Sequence, residues 1–129
     1  MIGSSGIHHL AVLVTDLDRS ERFYAGLLGL VVRTRHPEPD GSVRSVWVEI
    51  GGGAFLAIER ARPGARKRAP EGPGWHMFAL SIRPEDRQAW RSKLQAAGHA
   101  VVRETGYTLY VEDPDGNLVG LSHYPLPAP

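Results

Sequence analysis

The hydrophobic pattern of this chain occurs twice, in the same order. In each half a short apolar run is followed by a helix signal, an apolar stripe at helical spacing, and three more strand-like runs. The first stripe contains Phe23, Leu27 and Leu30, which recur at the period of one helix face. The pattern predicts a βαβββ unit in each half. The predicted strands are 7–14, 31–35, 43–50 and 55–60, then 75–82, 100–104, 107–112 and 118–123.

A segment rich in Pro, Gly and Arg separates the two halves. It covers residues 61–74, ARPGARKRAPEGPG, and has no interleaved aromatic residue, so we interpret it as a solvated linker rather than a nucleic-acid patch. We therefore expect one α+β domain over residues 1–129. Its first module covers about 7–60 and its second about 75–124.

Strand alternation predicts which side chains share a face. In the first strand Leu10, Val12 and Val14 form an aliphatic face, so His9 points to the opposite face. The same alternation is interpreted as bringing His76 to the equivalent face of the second half. A face with two histidines and several aromatic and acidic residues is typical of a small-molecule site. The alternative without a functional role is a pair of half-buried histidines that form hydrogen bonds with backbone carbonyls.

Composition excludes several kinds of protein. The chain has 129 residues and no cysteine, which excludes disulfides, thiolate nucleophiles, thiolate-bound zinc and iron–sulfur clusters. A net charge of +1 argues against binding nucleic acid by phosphate neutralisation. No apolar run is long enough for a membrane span, and the first residues do not resemble a signal peptide. We expect a cytoplasmic protein that contacts neither nucleic acid nor membrane.

Three segments make the chain resemble the vicinal-oxygen-chelate superfamily, which includes glyoxalase I, bleomycin- and fosfomycin-resistance proteins and extradiol dioxygenases. These segments are HHLAVLVTDLDRSERFYAGLLGL at 8–30, WHMFALSI at 75–82 and LYVEDPDGNLVGL at 109–121. The resemblance implies two βαβββ modules that form an open, eight-stranded, cup-shaped mixed sheet with helices on its outer face. It also implies a homodimer that binds a small molecule.

The same resemblance implies a divalent metal held by four strand positions, one from the first and one from the last strand of each module. Carried onto this chain, the first-strand positions fall on His9 and His76, whereas Ala57 and Gly120 replace the usual glutamates. Glu59 points to the same face as Ala57 and is a substitute candidate, either as a metal ligand or as a catalytic base. Two histidines and a carboxylate suit iron, zinc, manganese or nickel. The two missing glutamates leave open that no metal is bound.

Two functions remain in competition at this point. The first is a metal-assisted enzyme of the isomerase, lyase, epimerase or dioxygenase type, acting on a small oxygenated molecule. The alternative is a metal-free, antibiotic-type binding and resistance protein, in which aromatic rings stack on the ligand and acids neutralise a cation. A ligand-free structural dimer ranks third. The candidate ligand-binding residues are Trp47, Phe78, Tyr110, Glu49 and Glu112.

Overall fold

The computed structural model describes residues 2–127. The chain divides into two compact units, Met1–Ala65 and Arg66–Pro129, and each is described by itself. Each unit contains a helix and a four-stranded mixed sheet in the order βαβββ, so the predicted α+β fold of two modules is confirmed.

The first unit places its strands in the order β1-β4-β3-β2. Strand β1 runs parallel to β4, and the other neighbours are antiparallel. Parallel pairing requires a long connection between the paired strands, and here the helix together with β2 and β3 supplies it. The elements are β1 His9–Val14, α1 Leu17–Glu21 with a π-helical continuation Arg22–Leu27, β2 Val32–Pro37, β3 Val43–Gly51 and β4 Ala54–Arg60.

Helix α1 begins at a capping residue and ends at a glycine, as the sequence pattern indicates. The Asp16 side chain accepts a hydrogen bond from the Arg19 backbone N–H at 3.0 Å. The second part of the helix is wider, because the Leu28 N–H bonds to the Phe23 carbonyl five residues back. Gly29 follows with a φ of 77°, a conformation that glycine adopts without a Cβ penalty.

The core of the first unit lies between its sheet and its helix. One face of the sheet supplies Val46, Val48, Leu56 and Ile58, each at most 2% exposed. Strand alternation then turns the intervening residues to the other side, which we call the open face of this unit. In the second unit the open face is likewise the side of the sheet that does not pack on the helix.

The second unit repeats the arrangement with the strand order β5-β8-β7-β6. Its core contains Leu94, Leu109, Val111, Val119 and Leu121. Pro84 begins the helical segment, as predicted, in a 3₁₀ turn. The elements are β5 Phe78–Ser81, the 3₁₀ turn Pro84–Asp86, α2 Arg87–Ala96, β6 Arg103–Glu104, β7 Thr108–Glu112 and β8 Leu118–Ser122.

Strand β5 is shorter than predicted, because its partner is short. It pairs with β8 from Phe78 opposite Val119, and β8 itself begins at Leu118. Residues 75–77 therefore have almost no strand beside them, and Trp75 is 90% exposed. The start of β8 is fixed by the preceding turn, where the Asp113 carboxylate accepts hydrogen bonds from the backbone N–H of Asn117 at 2.8 Å and from its side-chain amide at 2.9 Å.

Within residues 2–127 no helix is both long and apolar enough to cross a membrane.

Candidate functional site

The register of the first unit fixes which side chains meet on its open face. His9 lies opposite Phe55 in the β1–β4 pair, and two residues further along Ala11 lies opposite Ala57. On the other side of β4, Trp47 of β3 is also paired with Ala57. The face predicted for His9 from strand alternation therefore agrees with this register, and Trp47 lies on the same face.

Four rings form a row across this open face. His9 stacks on Phe55 with 4.8 Å between ring centroids and an interplanar angle of 4°, and Phe55 stacks on Trp47 at 4.1 Å and 17°. His36 of β2 then contacts Trp47 at 4.4 Å. Because His9, Phe55 and Trp47 cover one another's faces, a ligand that approaches these three rings meets mainly their edges. Stacking of a ligand on Trp47, as predicted, requires His36 or Phe55 to move.

The carboxylate of Glu49 is already neutralised on the same face. Arg33 donates to its two oxygens from Nε at 2.7 Å and from Nη2 at 2.6 Å, and Nη2 also bonds to the Gly53 carbonyl at 2.9 Å. The Arg33 hydrogen bonds lower the pKa of Glu49 below its ordinary value. A cationic ligand would have to compete with this bidentate pair, so the structure does not favour the predicted role of Glu49.

Glu59 does not join His9. The parallel register places Glu59 opposite Leu13, four residues beyond the Phe55 level at which His9 lies. At about 3.3 Å per residue the separation along the strand is roughly 13 Å, too far for one metal ion to bind both side chains. Glu59 is two residues from Ala57, but His9 lies two further register pairs upstream of the Ala57 level, so the expected reach was too short.

The register of the second unit also changes the equivalence between the histidines. Ala79 lies opposite Gly120, and Gly120 lies opposite Tyr110, just as Ala11, Ala57 and Trp47 are paired in the first unit. Two residues before Ala79 is Met77, which is therefore the counterpart of His9. His76 is one residue out of register. Alignment of the apolar triplets Leu10-Ala11-Val12 and Phe78-Ala79-Leu80 in the sequence was the signal that could have revealed this.

Met77 fills the space beside Gly120. A Cβ built on Gly120 would lie 2.6 Å from Met77 Cε, 3.1 Å from Thr108 Cγ2 and 3.2 Å from Ala79 Cβ. These distances are shorter than carbon–carbon van der Waals contact, so a side chain at position 120 requires the terminal methyl of Met77 to move and the other two neighbours to give by a few tenths of an ångström. The position that carries the family's second glutamate is thus a packed contact between apolar groups.

Phe78 lies on the opposite face from the one expected. It pairs with Val119, whose side chain is fully buried in the core, whereas Tyr110 pairs with Gly120 on the open face. Phe78 and Tyr110 therefore cannot line one binding surface on this sheet. Alternation counted from His76 predicts the wrong face because His76 lies before the strand.

His76 lies beside a positive charge. The guanidinium of Arg103 is 4.3 Å from the centroid of the Tyr110 ring, and Arg103 Nη2 is 3.5 Å from His76 Nε2. A divalent ion bound at Nε2 would face the guanidinium at short range with like charge. Glu112 is exposed on the same face, two residues along β7 from Tyr110. The main-chain carbonyl of Glu112 accepts a hydrogen bond from His99 Nδ1 at 3.0 Å.

The residues at the four expected ligand positions do not fit a divalent metal. In register, these positions hold His9, Ala57, Met77 and Gly120, of which only His9 has a nitrogen or oxygen ligand in its side chain. A thioether is a soft ligand of the kind that binds Cu(I), and it does not suit a hard ion such as Mn²⁺. Within the described part of the chain no group of three or more His, Asp or Glu side chains is placed to hold a metal ion.

Comparison with known proteins identifies relatives of this chain. The model of the Glyoxalase/Bleomycin resistance protein/Dioxygenase superfamily matches residues 6–121. A probable lactoylglutathione lyase from Synechocystis sp. is 31% identical over 121 residues, which cover 88% of this chain and 91% of that protein. The glutathione transferase FosA from Serratia marcescens is 26% identical over 119 residues, which cover 89% and 78% of the two chains.

Solved structures show the same fold. A glyoxalase/dioxygenase from Nostoc punctiforme superposes with a TM-score of 0.80 at 20% identity, covering 95% of this chain and 92% of its own. A variant of the fosfomycin resistance protein FosX from Listeria monocytogenes, solved with Mn(II) and 1S,2S-dihydroxypropylphosphonic acid, gives a TM-score of 0.75 at 18% identity, covering 96% of each chain. At these identities the structural likeness concerns the fold alone.

Proposed function

This chain belongs to the Glyoxalase/Bleomycin resistance protein/Dioxygenase superfamily, and from that premise we propose that it binds a small organic molecule without a resident divalent metal. It is a glyoxalase-like, vicinal-oxygen-chelate protein by descent. What separates it from a metal-assisted member is the set of side chains at the ligand positions. This is the metal-free binding protein that the two missing glutamates leave open.

One observation carries the proposal: the methyl group of Met77 occupies the space beside Gly120. If only the glutamate were absent, a water molecule or another side chain could complete a metal shell. Here an apolar contact fills the place of the glutamate at position 120. The neighbouring first-strand ligand position is held by Met77, whose side chain is a thioether. The aromatic row and the Tyr110 ring remain as surfaces that a small molecule can contact.

The first experiment is elemental mass spectrometry of untagged protein after dialysis and after incubation with Fe²⁺, Zn²⁺, Mn²⁺ and Ni²⁺. We expect well under one ion per chain. The fosfomycin resistance protein FosX from Listeria monocytogenes, a variant of which was solved with Mn(II), is carried through the same steps as the positive control and is expected to retain bound metal. About one tightly held ion in the unmodified protein would overturn the proposal.

Binding itself is tested on protein treated with a chelator. Quenching of tryptophan fluorescence during a screen of small aromatic and oxygenated molecules reports a ligand near Trp47, and Trp47→Phe identifies the source of the signal. We expect at least one compound to bind with the chelator present. Binding that appears only when a metal is added would contradict the metal-free proposal.

A metal-assisted enzyme is the second candidate, and His9 is the observation that favours it. Its imidazole is exposed, and its Nδ1 lies 2.9 Å from His8 Nδ1, so Nε2 is the nitrogen turned away from that contact. The relatives named for lactoylglutathione lyase and glutathione transferase activity supply the assays. Formation of S-lactoylglutathione, or modification of fosfomycin, that requires added metal and is lost in His9→Ala would support this candidate.

We further propose that the protein acts as a homodimer in the cytoplasm. Light scattering coupled to size-exclusion chromatography measures the mass in solution, for which twice the 14.1 kDa of one chain is expected. A single-chain mass at micromolar concentration would contradict the dimer.

A further inference from the structure

The guanidinium of Arg103 lies in an unusual electrostatic setting on the open face of the second unit. The Tyr110 ring supports it at 4.3 Å, which fixes its position without neutralising its charge. Within residues 2–127 no carboxylate lies within ion-pair distance of it. Its other polar contact is His76 Nε2 at 3.5 Å.

Two acidic residues that could neutralise Arg103 are directed elsewhere. Glu104, the next residue in the chain, pairs with Arg87 at 2.9 Å and with Arg91, both on helix α2. Glu112 lies on the same face as Tyr110 but forms no ion pair with Arg103. Its carboxylate lies toward the β7–β8 turn, near Gly116, where the Lys67 ammonium also lies.

The first unit provides a direct contrast. The tripeptide Val31-Val32-Arg33 recurs as Val101-Val102-Arg103, and both arginines lie against an aromatic ring of the open face. Arg33 forms a bidentate ion pair with Glu49, to which it donates two hydrogen bonds. The corresponding acid of the second unit is Glu112, which forms no ion pair with Arg103, so the Arg103 guanidinium keeps its N–H donors for another anion. The two arginines match in the sequence repeat but not in register, because Arg103 is paired with Tyr110 whereas Arg33 lies at the bulge before Thr34.

We propose that Arg103 and His76 form an anion subsite on the open face of the second unit, which binds the terminal oxyanion group of a small organic ligand. The planar guanidinium fork matches the paired oxygens of a carboxylate or phosphonate. In the free protein His76 Nε2 accepts from Arg103, so His76 becomes a second donor only when the anion lies between the two side chains and Nε2 carries a proton. The Tyr110 ring offers an apolar edge to the organic part of the ligand. This inference rests on the proposed metal-free binding function and names its ligand class.

The test uses calorimetric titration of the full-length, chelator-treated protein with phenylphosphonate, benzoate and the neutral analogue benzamide. We expect the two anions to bind and benzamide to bind at least about tenfold more weakly, with affinity falling as sodium chloride is raised. Arg103→Gln should weaken both anions by about tenfold or more, whereas Arg103→Lys keeps the charge and should recover part of the loss.

The matched control is Arg83→Gln. It makes the same charge change in the same unit, but the Arg83 guanidinium is held by Asp86 at 2.8 Å and lies at the start of the helical segment. We expect anion binding by this variant to equal that of the unmodified protein. Circular dichroism verifies that each variant is folded before it is titrated.

The outcomes separate the two proposals. Anion binding that Arg103→Gln leaves unchanged overturns the subsite. Absence of anion binding overturns it too, while the metal-free function survives if other compounds still quench Trp47 in the presence of chelator. Anion binding that needs added metal overturns both the subsite and the metal-free function.

Discussion

Replacement of Gly120 by alanine tests whether Met77 occupies the space of the lost ligand. The backbone of Gly120 does not have a positive φ, so alanine meets no conformational penalty there. Its Cβ, however, would lie 2.6 Å from Met77 Cε and within 3.2 Å of two further carbons, those of Thr108 and Ala79. The cost of the substitution is therefore steric, and it should depend on Met77.

The magnitude follows from two opposing effects. Overpacking of a well-filled site costs about 1–3 kcal/mol, whereas replacing a strand glycine by alanine recovers about 0.5–1 kcal/mol. We expect Gly120→Ala to lower the free energy of unfolding by roughly 0.5–2 kcal/mol. Met77→Ala alone removes a half-buried side chain and should cost about 1 kcal/mol. In the double variant the steric cost is relieved, so the combined loss should be smaller than the sum by about 1 kcal/mol.

Urea denaturation followed by circular dichroism measures the four unfolding free energies of this cycle. Gly106→Ala is the matched control, since beyond its chain neighbours no atom lies within 4 Å of the place its Cβ would take. Its combination with Met77→Ala should be additive. Additivity within about 0.3 kcal/mol for Met77 and Gly120 would show that the methyl group does not fill that space, and the packing would then not oppose a metal ligand at this position.

Three further predictions concern local interactions. Asp113→Ala removes the acceptor of the hydrogen bonds that shape the β7–β8 turn and should cost about 1–3 kcal/mol in urea denaturation. Asp16→Ala removes the α1 cap and should cost about 1 kcal/mol by the same measurement. Arg33 lowers the pKa of Glu49 in the folded state, so its stabilising effect is present above the ordinary glutamate pKa and is lost as pH falls through the lowered value. Glu49→Gln should therefore flatten the acid dependence of Tm, and an unchanged slope would contradict the assignment.

The repeat in the hydrophobic pattern was sufficient to predict the fold. Apolar spacing defines helix and strand independently of tertiary contacts, and the caps at Asp16 and Gly29 and the turn at Asp113 are local signals. The ends of the strands were less accessible to this reasoning. Strand β5 begins only at Phe78 because its partner β8 begins at Leu118, and the position of a partner is a long-range fact that a local pattern does not contain.

The candidate site shows where residue identity misled the reasoning about register. Matching His9 with His76 gave weight to two metal ligands, but pairing in a sheet is set by backbone hydrogen bonds, and a shift of one residue reverses every side chain. That single shift placed Phe78 on the wrong face and concealed Met77. The stacking of Trp47 on Phe55 and the ion pair of Glu49 with Arg33 bring together residues of β2, β3 and β4. The sequence alone does not show which residues of different strands lie side by side.

The departures of the second unit from a metal site depend on one another. Glutamate at position 120 would meet the terminal methyl of Met77, so that change requires the Met77 side chain to turn away or a smaller residue to stand at position 77. Histidine at position 77 would supply a ligand but leave position 120 without one. Even with both changes, the Arg103 guanidinium remains on the Tyr110 ring of the same face, where it favours a negative ligand over a divalent cation. A face altered in packing and in charge in this coordinated way is suited to an anionic organic molecule, and loss of a single ligand would not by itself produce it.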